Sequence, residues 1–140
     1  MRGARRSGPD KPLVLVVEDV EDAFEAISDL LAEAGLRVVG ARNGIDAVDT
    51  AVKLLPDVIL MDLSLPLMGG CEAARLLKSD SRTQTIPIIA VTGHHNFLAM
   101  AREAGCDAFL TKPYEPKRLL AEIENVTRTA APSVVHTSRN

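Results

Sequence analysis

Three acids, one hydroxyl and one lysine stand at or just beyond the ends of apolar runs in this chain. Glu18 and Asp19 follow "LVLVV" (13–17), Asp62 follows "VILM" (58–61), Thr92 follows "IPIIAV" (86–91), and Lys112 comes shortly after "DAFL" (107–110). A carboxylate in such a place is costly to bury unless something pairs with it. Three carboxylates brought together repel and raise one another's pKa. A divalent cation removes that conflict, and clustered carboxylate oxygens suit Mg²⁺ better than a soft metal. With the charge neutralised, Asp62 can attack phosphorus and form an aspartyl phosphate. The Lys112 ammonium can pair with one phosphoryl oxygen as a point charge, and the Thr92 hydroxyl can donate to another. Each residue alone has a plainer explanation. Glu18 and Asp19 precede a helix, where acids serve as caps or favour the helix dipole; Thr92 can be a strand terminus and Lys112 a solvated loop residue. Asp62, directly after four apolar residues, is the hardest to explain that way.

The elements that must bring these residues together follow one another as strand then helix. "LVLVV" (13–17), "RVVGA" (37–41), "DVILM" (57–61), "IPIIAV" (86–91) and "DAFL" (107–110) read as five strands. Between them Phe24, Ile27, Leu31 and Ala34 fall at helical spacing before Gly35, and residues 44 to 55 place Ala47, Val48, Ala51, Val52 and Leu55 on one face. A third helix follows Gly69 and Gly70 with Cys71, Ala74 and Leu77. A fourth carries Phe97, Ala101 and Ala104 up to Gly105. A fifth starts near Pro116, a residue suited to a first turn, with Leu119, Leu120, Ile123 and Val126 inward. Five such units predict an α/β fold, a doubly wound five-stranded parallel sheet with helices on both faces. In such a sheet ligands bind beyond the carboxyl ends of the strands, the end at which the five polar residues stand.

Composition bounds the rest. A chain of 140 residues, 46% hydrophobic and 25% charged, suits one domain with a proper core. Three Phe and one Tyr leave that core to Leu, Val, Ile and Ala. We expect one domain over residues 12–127, a disordered basic leader over 1–11 and a disordered tail over 128–140. No apolar run approaches the about 18 residues of a membrane span, and the basic start lacks the apolar core of a secretory signal, so the expected location is cytoplasmic with no membrane partner. Residues 13 to 127 carry 18 acids against 10 Lys and Arg. A body so acidic is not expected to bind nucleic acid directly. Cys71 and Cys106 lie in no metal or redox spacing and read as reduced packing residues.

Taken together, "LVLVVED", "VILMDLSLPLMGG", "PIIAVTG" and "DAFLTKPY" resemble the receiver (response-regulator) domain of two-component signal transduction, over about residues 12 to 127. The resemblance implies a flavodoxin-like strand order of 2-1-3-4-5. It implies that Glu18 and Asp19 hold Mg²⁺ with Asp62, assisted by the backbone carbonyl of Ser64. Asp62 would be the phosphoacceptor, supplied by a sensor histidine kinase or a histidine phosphotransfer protein. Lys112 would pair with the phosphoryl group, and its bond to Pro113 is often cis in the family. The Thr92 hydroxyl would move toward the phosphoryl group and Phe109, three residues before the lysine, would turn inward, altering the face made by the fourth helix, fifth strand and fifth helix. An unknown target protein would read that face, with the chain a monomer or a weak phosphorylation-dependent dimer. Ser64 and His94, each two residues beyond a site residue, are expected to tune the phosphoryl lifetime. Val20 and Gly69 depart from the commonest family pattern but remove no chemical group.

Other classes fit less well. A phosphatase of the haloacid-dehalogenase kind needs a second acid two residues after its nucleophile, where this chain has Ser64. A nucleotide- or flavin-binding module needs a glycine loop after the first strand, where "VVEDVEDA" is acidic. A receiver-fold scaffold that is rarely phosphorylated is the milder alternative. The chain is therefore expected to be a phosphorylation-controlled interaction module and not an enzyme.

Overall fold

Five short apolar runs pair side by side into one parallel sheet in a computed structural model that describes residues 11–65 and 68–130. In chain order the elements are β1 (Leu13–Val17), α1 (Glu21–Glu33), β2 (Arg37–Ala41), α2 (Gly44–Leu54), β3 (Val58–Asp62), α3 (Gly70–Ser79), β4 (Ile88–Thr92), α4 (Leu98–Ala104), β5 (Ala108–Thr111) and α5 (Pro116–Ala130). A 3-10 turn, His95–Phe97, leads into α4. The strand order is β2-β1-β3-β4-β5, every neighbouring pair is parallel, and this is the expected doubly wound arrangement.

Strand side chains alternate between faces, and the two faces bury different helices. Val14, Val16, Leu60 and Ile89 pack with Leu31 of α1 and with Leu119, Ile123 and Val126 of α5. Leu15, Val17, Ile59, Met61 and Ile88 pack with alanines of α2, α3 and α4 and with Leu77. β3 and β4 are buried along their whole length, which explains why their sequences show no polar alternation. Ala47, Ala51, Ala73, Ala74, Ala101 and Ala104 let three helices sit close to the sheet with few aromatics between them. Each fully buried Leu, Ile or Val contributes about 1.5–3 kcal/mol, so the sheet end that carries the polar residues is rigidly based.

Several boundaries differ from the sequence reading, each for a local reason. β3 starts at Val58 and includes Asp62; Asp57 instead turns its carboxylate to the Leu13 amide at 2.7 Å. β4 starts at Ile88 because Pro87 has no amide to donate, although its carbonyl accepts from Ile59 at 2.9 Å. Asp107 precedes β5 and accepts from the Ile88 amide. α2 stops at Leu54, with Leu55 in the left-handed region at φ 48°. α5 continues to Ala130, so residues 128–130 form its last turn and not the start of a tail. Of the expected leader only Lys11 is described, and its carbonyl accepts from Arg37 Nε; the expectations for residues 1–10 and 131–140 lie outside the described residues. Among the described residues no helix is long and apolar enough to cross a membrane.

Candidate functional site

Register decides which residues meet at the carboxyl edge of the sheet. Val17 of β1 pairs with Met61 of β3, so Glu18 and Asp62, one residue further on each strand, stand side by side. Asp62 pairs with Val91, and Thr92 with Thr111 one residue before Lys112. Asp62 is 5% exposed and Glu18 3%, whereas Asp19 is open to solvent. One oxygen from each of the three lies within 4.8 Å of the others.

The Asp62 carboxylate is held from two sides. Its Oδ1 accepts from the Ser64 amide at 3.0 Å and from the Ser64 hydroxyl at 3.1 Å. Its Oδ2 faces Lys112 Nζ at 3.4 Å, and the same ammonium lies 3.9 Å from Glu18 Oε1. At those lengths Lys112 pairs by charge more than by a well-formed hydrogen bond. Gly70 opens α3 hard against this point: a Cβ there would meet the Asp62 carbonyl oxygen at 2.5 Å. A side chain at position 70 would therefore push α3 off β3.

Glu18 is not a simple helix cap. Val20 holds the position before α1 without a side-chain cap, and Glu18 Oε2 accepts from the Val20 amide at 3.2 Å. Burial is the largest influence on Glu18 and pushes its carboxyl pKa upward; the Val20 amide and Lys112 oppose this, while the Asp62 charge adds to it. Buried and exposed carboxylates this close, with one ammonium beside them, leave excess negative charge at the edge. Hard oxygen donors so clustered fit a divalent cation.

Thr92 is 2% exposed, and its hydroxyl is engaged within its own loop: it accepts from the His94 amide at 3.0 Å and lies 3.4 Å from the His94 carbonyl. His94 itself is exposed and sets its ring edge-on to Phe97, with centroids 5.6 Å apart. Phe109 is half-buried against the core on the α2–α4 side of the sheet. The Lys112–Pro113 peptide is cis. Glu18, Asp19, Asp62, Ser64 and Lys112 thus form one cluster, while Thr92, His94 and Phe109 stand on the adjoining β4–α4 and β5 side.

Two neighbours of the cluster escaped sequence reasoning. Tyr114 lines the small gap beside Glu18, Asp62 and Lys112, and burial, reinforced by the two acids, raises its phenol pKa. Its position directly after Lys112-Pro113 was the available signal. Gly70 was visible only as half of a glycine pair, because its close approach to Asp62 is a tertiary fact.

Comparison with known proteins agrees with this geometry. The family model described as the response regulator receiver domain matches residues 14–124. The polar-differentiation response regulator DivK of Brucella anthropi is 36% identical over 118 residues, which is 80% of this chain and 93% of that protein. The chemotaxis response regulator CheY4 of Vibrio cholerae superposes with a TM-score of 0.77 at 29% identity, covering 82% of this chain and 98% of that one. The receiver domain of the sensor histidine kinase PA1611 from Pseudomonas aeruginosa, solved with magnesium coordinated in its active-site cleft, gives a TM-score of 0.80 at 29% identity, with 84% and 98% covered. From β1 to α5, in sequence and in fold, the chain belongs to the response regulator receiver domain family.

Proposed function

We propose that Asp62 accepts a phosphoryl group from a phosphohistidine of a sensor kinase or phosphotransfer protein, and that the resulting change is read by a target protein on the α4–β5–α5 face. The observation that supports this most is the Asp62 carboxylate itself, buried at a strand end, steadied by Ser64 and facing the ammonium of Lys112. In the transfer an Asp62 oxygen forms a bond to phosphorus as the donor's N–P bond breaks, and the departing imidazole keeps the electron pair and takes a proton from solvent. Lys112 moves with little displacement from the carboxylate to a phosphoryl oxygen. Glu18, Asp19, Asp62 and the Ser64 carbonyl would hold Mg²⁺, which when bound neutralises the acids and the incoming phosphoryl charge.

After transfer the Thr92 hydroxyl leaves His94 and donates to the phosphoryl group. Phe109 turns inward, and the α4–β5–α5 face changes shape, a local contact biasing a two-state equilibrium. A cleft of ≈ 500 Å³ on that face, lined in part by His95, Leu98, Tyr114 and Arg118, is the place where a target would dock. Ser64 and His94 set how long the phosphoryl group survives. The reading is tested with phosphoramidate, a small N–P donor. It should produce a hydroxylamine-labile phosphoprotein with Mg²⁺ and none with EDTA. Labelling that is indifferent to EDTA or resists hydroxylamine would oppose it.

A further inference from the structure

Phe109 carries a contact that the cluster around Asp62 does not explain. The guanidinium carbon of Arg102, on α4, lies 5.2 Å from the centroid of the Phe109 ring. That is within the range of an attractive cation–π contact. Arg102 is exposed and, among the described residues, no carboxylate forms an ion pair with it; the contact its guanidinium makes is with the Phe109 ring. The register pairs Ala90 with Phe109 and Thr92 with Thr111, which puts the Phe109 ring and the Thr92 hydroxyl on one face of the sheet, two residues apart in register. Two separate ties therefore hold this face in its present form: Thr92 to the His94 backbone, and Phe109 to Arg102.

We infer that Arg102 is a latch on the switch: its guanidinium holds the Phe109 ring outward and so sets how rarely the unphosphorylated chain visits the active form. The inference rests on the proposed inward turn of Phe109 and adds to it the residue that opposes the turn. An inward ring must leave a guanidinium that lies on the solvent side of α4, so the contact belongs to the resting state alone. A contact made in only one of two states lowers the population of the other by its own strength. For an exposed cation–π pair that strength is about twofold to fivefold in an equilibrium constant. The sign is diagnostic. Removing a positive charge should by itself weaken binding of an anion at Asp62, whereas removing a latch should strengthen it.

The test uses the full chain with ¹³C-labelled phenylalanine rings and beryllofluoride with Mg²⁺ as the phosphoryl mimic. The chain has three Phe, so the Phe109 signal is assigned by comparison with Phe109→Leu. Arg102→Gln should move the unliganded Phe109 signal part of the way toward its beryllofluoride position and tighten beryllofluoride binding by about twofold to fivefold. Arg102→Lys, which keeps the charge and loses the planar face, should fall between. In a Phe109→Leu background Arg102→Gln should no longer tighten binding. If beryllofluoride moves the Phe109 signal in the wild type but Arg102→Gln leaves both signal and affinity unchanged or weakens binding, the latch is wrong and the switch stands. If the mimic binds and the wild-type Phe109 signal does not move, the proposed turn fails and the latch with it.

Discussion

Both oxygens of the Asp62 carboxylate are already in use in the resting chain, Oδ1 by Ser64 and Oδ2 by Lys112. Only the second partner is a cation, and it is partly exposed on a flexible stem, suited to follow charge as it appears on phosphorus. Lys112→Ala should therefore slow phosphorylation by acetyl phosphate by about tenfold to a hundredfold, the equivalent of one charge-assisted hydrogen bond. A rate within twofold of wild type in stopped assays would show that Lys112 is a bystander. Cysteine chemistry gives a check away from the site. Burial, aided by Cys71 and Asp107, pushes the Cys106 thiol up to about 12. At pH 8 about one such thiol in ten thousand is ionised, so in the native protein a thiol reagent should modify Cys71 long before Cys106. Because the folded pKa is raised, the neutral thiol's contribution is complete below its ordinary value of 9.0 and is lost as pH rises toward about 12. The urea midpoint should fall across that range by less in Cys106→Ala than in wild type.

At the scale of elements, α3 is tied to the proposed chemistry, because its first residue lies against the end of β3 at Asp62. Gly70→Ala brings a Cβ to 2.5 Å from the Asp62 carbonyl and 2.9 Å from Leu63 Cα. It should destabilise the fold by about 1–3 kcal/mol and slow phosphorylation more than its stability loss explains. Denaturant melts paired with labelling rates would separate the two effects, and an unchanged rate would detach α3 from the site. Element order, strand number and the residues at each strand end were legible in the sequence, since apolar runs and helical spacing are local signals. Boundaries were less so. Asp57 and Asp107 accept from the first amides of neighbouring strands and Asn43 caps α2, and no periodicity shows where such a bond will form. The approach of Gly70 to Asp62 and of Arg102 to Phe109 depends on how each helix packs beside its neighbouring strand, and Tyr114 meets acids that end β1 and β3. They became visible only with the fold.

In the molecule as a whole, the sheet edge gathers negative charge, and the proposed reporter of what happens there is the α4–β5–α5 face. The Thr92 hydroxyl, bound to His94 and facing the side of the sheet that carries Phe109, is the proposed joint between the two. Thr92→Ala should leave Asp62 phosphorylated to near the wild-type extent while the Phe109 ring signal stays at its unliganded position. A ring that moves normally in that variant would place the joint elsewhere. The central claim, that Asp62 takes the phosphoryl group, is tested most directly by intact mass after incubation with acetyl phosphate and Mg²⁺, comparing wild type with Asp62→Asn. The wild type should gain one phosphoryl group and the variant none. An equal gain in both, or no gain in a folded wild type, would contradict it.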